Sequence, residues 1–225
     1  LIYDFYYNRF FFEENQKDLN YCNNYGILVY NYYYEGKIHT PNIGDYIQSL
    51  SALQYLPKNC KPIFVDRDSI QFYNQTKIKL IMNGWYVIHD GNKYVSEQIA
   101  PIYIAYHLEN EKNLSKYYLE KLKMEEPIGC RDIKTRDNLL KYKINAYFSS
   151  CLTTTLDIHY SISEKQRTEE IIFIDYKFGM YKKADEYILN LNAYNFNNIT
   201  YIKHYFSLNL THIQRFQLAH KFLIK

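Results

Sequence analysis

Cysteine is sparse. Cys22, Cys60, Cys130 and Cys151 are four in 225 residues and form no Cys-x-x-Cys pair. That spacing argues against a zinc site, and a chain of this size does not call for a disulfide framework. Reduced thiols in an intracellular setting are therefore expected. No apolar run approaches the roughly 18 residues that a spanning helix needs. The opening stretch LIYDFYYNRFFFEENQKD is aromatic but broken by Asp4, Arg9 and two glutamates. It lacks the basic start and apolar centre of a signal peptide. Net charge is only +3 with no lysine or arginine block, which argues against nucleic acid as a partner. No repeat with a period of roughly 20–50 residues is visible.

What is present is aromatic. Tyrosine accounts for 27 residues, and the mean hydropathy of −0.46 is that of a chain at home in water. The surplus of Tyr, Asn, Lys, Ile and Phe matches AT-rich coding, so aromatic abundance by itself carries no functional weight. The sequons at Asn74 and Asn198 are expected by chance in so Asn-rich a chain. The chain opens on Leu1 rather than methionine, which reads as a trimmed chain or a fragment.

Apolar runs of strand length alternate with stretches of helical period, the pattern of an α/β fold with a mainly parallel sheet. Strands are expected at 26–34, 62–66, 78–84, 101–107, 127–130, 146–150, 170–176 and 198–205. Helices are expected near 45–56, 113–124, 133–141, 184–191 and 211–222, the first stopped by Pro57. The polar stretch 160–168 is the candidate linker. The division that follows is a Rossmann-like domain over 1–160, with an irregular extension over 1–25, and the start of a second α/β segment over 161–225.

Ligands of open α/β sheets bind where strands give way to helices, and several motifs fall on such turns. In TPNIGDYIQSL (40–50), Asn42, Gly44 and Asp45 occupy a strand-to-helix turn. Glycine there lets backbone approach a ligand and helix-terminal N–H groups favour an anion; the plainer reading is a cap and a tight turn. In MNGWY (82–86), Asn83 and Gly84 close a strand before Trp85, which either stacks on a sugar or packs. His89 and His107 lie beyond strand ends, where a single histidine is more often structural than chemical. GCRDIKTRDNLL (129–140) is better placed. Arg131 offers a planar cationic fork suited to carboxylate or phosphate, and Asp132 either binds ligand or caps the helix. In YFSSCLTTTLD (147–157) hydroxyls crowd after a strand, with Ser149 and Thr153 able to hold a ligand or merely to satisfy a loop. Cys151 stands among them with no base to make it a nucleophile.

Taken in order, NIGDYIQSLSALQYLP (42–57), VDRDSI (65–70), KLIMNGWY (79–86), IAPIYIAYH (99–107), EPIGCRDIKTRDNLL (126–140) and INAYFSSCLTTTLD (144–157) resemble the polysaccharide pyruvyl transferases, and RFQLAHKFLIK (215–225) is similar to that family's lead-in to its second domain. The resemblance implies a Rossmann-like domain of a GT-B-like pair, the second domain only begun here. It also implies transfer of an enolpyruvyl unit from phosphoenolpyruvate to two hydroxyls of one sugar of a bacterial surface polysaccharide, such as capsule or exopolysaccharide, or its precursor.

On that basis Asp45 and Arg131 are the expected catalytic pair. Asn42, Gly44, Asn83, Gly84, Trp85, Asp132, Ser149 and Thr153 are the expected substrate-binding set. No metal and no cofactor are expected beyond phosphoenolpyruvate as donor substrate. The partners are that donor and a glycan or lipid-linked acceptor, with a cytoplasmic location that leaves peripheral association with the inner face of the membrane open. The family's Arg-Leu-His segment has no equivalent before Lys225, and Ser150 and Thr154 stand where Gly and Leu are common. A GT-B glycosyltransferase using a nucleotide sugar and a non-catalytic truncated remnant are the alternatives.

Overall fold

The computed structural model describes residues 24–34, 37–57, 60–86, 94–109, 114–160, 171–174, 199–205 and 209–223. The extension through residue 23 with Cys22, His89, the linker beyond Tyr160 and the helix expected at 184–191 lie outside them. In chain order the elements are β1 (Tyr25–Val29), β2 (Tyr33–Tyr34), β3 (Lys37–Ile38), α1 (Ile43–Leu53), β4 (Ile63–Asp66), a 3₁₀ segment (Arg67–Phe72), β5 (Ile78–Ile81), β6 (Trp85–Tyr86), β7 (Ile99–Ile102), β8 (His107–Leu108), α2 (Lys116–Met124), β9 (Ile128–Cys130), α3 (Ile133–Lys141), β10 (Ala146–Phe148), a second 3₁₀ segment (Leu152–Thr155), α4 (Asp157–Tyr160), β11 (Ile171–Ile174), β12 (Ile199–Ile202) and α5 (His212–Leu223).

Four strands form a parallel sheet in the order β4–β1–β5–β7. This is the expected α/β class, compatible with a Rossmann-like fold. The central strand β1 is buried from Gly26 to Val29, as a parallel strand covered on both faces requires. Pro101 is tolerated in β7 because β7 is the edge strand, where a missing N–H costs no ladder bond. β9 and β10 pair in parallel, and so do β6 and β8, with a bridge from Tyr106 to Cys130 joining the two pairs.

Two expected strands are interrupted, and both breaks matter. The run 26–34 leaves the sheet after Val29, because Tyr32 adopts a positive φ of 57° and turns the chain into the β2–β3 hairpin. Asp66 and Asp68 secure that exit by accepting the N–H groups of Asn31 at 3.0 Å and Tyr32 at 3.1 Å. The run 101–107 breaks at Ala105 (φ 54°), whose N–H is held by Ser149 Oγ at 2.9 Å, and resumes as β8 beside β6. Gly129 sits mid-strand in β9 rather than at its end. A Cβ there would come within 2.8 Å of Tyr147 Oη and 3.0 Å of the Tyr103 carbonyl, so only glycine fits.

Helix α5 packs on α1. Phe216 meets Tyr46 edge-on at 5.0 Å between centroids, and Arg215 Nη1 donates to the Tyr30 carbonyl at 2.7 Å. His212 lies between Tyr46 and Phe64, its Nδ1 2.7 Å from Tyr46 Oη, while His220 Nδ1 is 2.9 Å from Tyr160 Oη. Burial lowers His212 and His220 below the ordinary 6.5, Arg215 adding to the effect at His212 and Asp66 opposing it. The unfolded chain therefore takes up these protons first on acidification, and stability is lost as pH falls below 6.5 toward the folded-state values. A thermal melt series between about pH 7.5 and 5.5 should show a falling midpoint, flattened in a His212→Gln/His220→Gln double variant. A midpoint equally pH-dependent in that variant would refute the assignment.

Candidate active site

At the carboxyl edge of the sheet, a cavity of about 360 Å³ is lined by Tyr32, His39, Thr40, Asn42, Asp45, Gln48, Arg67, Trp85 and Arg131. Each wall has a local cause. Asn42 is the N-cap of α1, its Oδ1 accepting the Gly44 N–H at 2.7 Å. With the cap supplied by Asn42, Asp45 is not needed as a cap and stands in the first turn, where the positive end of the helix favours an acid and Tyr32 hydrogen-bonds it. Tyr32 reaches the same place through the positive-φ turn after β1, and its hydroxyl donates to the Asn42 carbonyl at 2.8 Å. Arg131 follows β9 directly. Its N–H is bound by the Tyr106 carbonyl at 2.9 Å, and Nη1 lies 3.3 Å from Gln48 Oε1 across the cavity mouth.

Arg67 is the residue that sequence reading missed. It begins the 3₁₀ segment immediately after β4 and is only 7% exposed. Nη2 and Nε grip Asp68 Oδ1 at 2.8 and 2.9 Å, and the guanidinium lies over Tyr30 at 4.8 Å and near Trp85 at 5.9 Å. Nη1 is buried without a hydrogen-bond partner in the protein. Burial opposes its charge, but Asp68 and Asp45 outweigh that and keep it protonated. The available signal was Asp-Arg-Asp at the end of a strand: an isolated cation between two acids at the ligand edge of the sheet.

Burial pushes the Asp45 carboxyl above its ordinary 3.8, with Asp68 adding to the rise and Arg67, Tyr32 and Arg131 pulling against it. A carboxylate so placed is a stronger base than a solvated one. Asp45 thus faces two cations, a phenol and an indole ring within one partly enclosed space.

A model of the polysaccharide pyruvyl transferase domain matches residues 42–223. The chain belongs to the polysaccharide pyruvyl transferase family. It is therefore a transferase, and the family's acceptors are polysaccharides. Comparisons with curated proteins and with solved structures return no match.

In this pyruvyl transferase, Asn42, Asp45, Trp85 and Arg131 are brought together in the cavity, and none of the other expected residues lines it. Gly44 lies beneath the Asn42 cap. Asn83 is buried behind the wall, donating to the Gln48 carbonyl at 2.6 Å and so tying α1 to the end of β5. The Gly84 carbonyl takes the His107 N–H at 3.1 Å. Asp132 caps α3 through the Thr135 N–H at 2.8 Å and accepts from Thr135 Oγ1 at 2.9 Å. Ser149 donates to the Cys130 carbonyl at 3.1 Å, and Thr153 Oγ1 donates to Cys151 Sγ at 3.0 Å. Ser149 and Cys151 line a different, mostly apolar cavity of about 400 Å³ with Tyr25, Ile102 and Leu152. Burial pushes the Cys130 thiol up to about 12, assisted by Asp132, which leaves it unreactive at neutral pH. Among the described residues no helix is long and apolar enough to cross a membrane.

Proposed function

We propose that this protein transfers a pyruvyl unit from phosphoenolpyruvate to two hydroxyls of one sugar in a surface polysaccharide or its lipid-linked precursor. The observation that carries the reading is the convergence of Asp45, Arg67, Arg131 and Trp85 in one cavity at the carboxyl edge of a parallel sheet. Trp85 offers the acceptor ring a stacking surface. Asp45 takes a proton from an attacking hydroxyl, its basicity raised by burial. Arg131 stabilises the anionic donor or departing phosphate, and Asn42 shapes the pocket beside it.

The chemistry balances. The methylene carbon gains a proton to become a methyl group, and the adjacent carbon develops positive charge. One sugar hydroxyl adds there, the bond to phosphate oxygen breaks, and the second hydroxyl closes the ketal. Of the two hydroxyl protons, one replaces that given to the methyl group and the other departs on phosphate. The remaining donor contacts come from a facing domain in a GT-B-like arrangement, and the reaction runs on the cytoplasmic side. The intact protein should release phosphate from phosphoenolpyruvate only when a glycan acceptor is present. Turnover of a nucleotide sugar in its place would move the assignment to a glycosyltransferase.

A further inference from the structure

His107 and Asp132 each adjoin a residue that lines this cavity, His107 as the ladder partner of Trp85 and Asp132 as the residue after Arg131. Asp132 already has its cap partner in Thr135, yet His107 Nδ1 also lies 2.5 Å from Asp132 Oδ2. The two side chains are 23% and 33% exposed, so water and ligand reach them. Burial works to raise the Asp132 carboxyl, but its bonds from the Thr135 N–H, His107 and Thr135 Oγ1 outweigh that and hold it below 3.8. An ionised Asp132 only accepts, so Nδ1 carries the hydrogen and Nε2 is left as the working nitrogen. Among the described residues Nε2 has no protein partner. His107 pairs with Trp85 across the β6–β8 ladder, and paired residues of adjacent strands project to the same face. On the other side Asp132 adjoins Arg131. The imidazole therefore shares a strand face with the wall residue Trp85 and contacts the neighbour of the wall residue Arg131, in the arrangement of a base oriented by a carboxylate.

We propose that His107 and Asp132 form a proton-transfer dyad beside the cavity, with His107 Nε2 exchanging a proton with the ligand seated against Trp85. Which proton it moves rests on the pyruvyl-transfer reading. Protonated at Nε2, the imidazole gives its proton to the donor's methylene carbon as the double-bond electrons form the new C–H bond. The first acceptor hydroxyl adds to the cationic carbon and returns its proton to Nε2, and phosphate leaves with the electrons of its C–O bond. The proton of the second hydroxyl passes through Asp45 to phosphate, so both groups end as they began.

Two measurements on the intact protein test this separately. Nitrogen-15 NMR of the imidazole should show Nδ1 keeping its hydrogen throughout, the hydrogen that comes and goes residing on Nε2. A hydrogen on Nε2 with a bare Nδ1 would overturn the dyad whatever the donor is. In turnover, His107→Asn keeps an amide donor toward Asp132 but carries no exchangeable acid, and kcat should fall by about 10²–10⁴-fold with KM changed by less than about threefold. His107→Gly should regain turnover on addition of imidazole, which a packing role would not allow. Asp132→Asn keeps the α3 cap and should lose less than His107→Asn. A kcat for His107→Asn within about threefold of the parent sinks the proposal. A parent protein that releases no phosphate from phosphoenolpyruvate with any acceptor defeats the pyruvyl-transfer reading instead, and the tautomer measurement still judges the dyad.

Discussion

Asp45→Asn is expected to reduce kcat by about 10²–10⁴-fold while leaving donor KM nearly unchanged, because it removes a proton acceptor rather than a binding cation. The substitution is close to isosteric, and the α1 cap belongs to Asn42, so the helix start is untouched. Fold stability above the ordinary carboxylate range should rise rather than fall. Burial already holds the Asp45 carboxyl above 3.8, so the folded state binds its proton more tightly than the unfolded chain does. That makes the ionised form a stability cost that grows as pH rises through the window above 3.8, and a neutral amide removes it. The rate profile of the parent should carry an acid limb above the ordinary carboxylate range, and residual activity of the variant should lack that limb. A folded Asp45→Asn protein with parental turnover would remove Asp45 from the mechanism.

Arg67→Met has the largest expected effect on the fold. The side chains of Arg67 and Asp68 are each 6% exposed, so removing the cation strands a buried carboxylate and takes the nearest positive charge from Asp45. Breaking one partner of such a pair costs about 3–5 kcal/mol. In a chain of this size that corresponds to a melting midpoint lower by on the order of 10 °C. Arg67→Lys keeps the charge but loses the two-point grip on Asp68 and the stacking on Tyr30, and should fall between parent and Arg67→Met. Calorimetry would decide it: an Arg67→Met midpoint within about 2 °C of the parent means that the pair contributes nothing net.

Much of this was legible in the chain. Helix α2, expected at 113–124, spans 116–124, with Ser115 Oγ accepting the Tyr118 N–H at 3.2 Å. Helix α3 spans 133–141 as its apolar spacing indicated, and Asp132 caps it. The misread strand ends at Tyr32 and Ala105 share one cause. Each is a residue other than glycine held at positive φ by distant partners, Asp68 in the first case and Ser149 in the second. A local pattern of β-forming side chains cannot report that. Arg67 escaped for a related reason: an Asp-Arg-Asp triplet reads as a solvated turn until the packing of Tyr30 and Trp85 around it is known.

The alternation of strands and helices, the α/β class and the family relationship were legible in the sequence alone, because each rests on local pattern rather than on contacts between distant residues. Tertiary structure decided which turns are neighbours. Parallel pairing in the order β4–β1–β5–β7 carries the ends of β1 and β4 and the start of α1 to one edge, and the β6–β8 and β9–β10 pairs set Trp85, His107 and Arg131 beside them. Asp45, Arg67, Trp85 and Arg131 come from four separate turns. Their shared electrostatics, from the raised Asp45 to the buried cation Arg67, exist only once that edge has assembled and partly desolvated them.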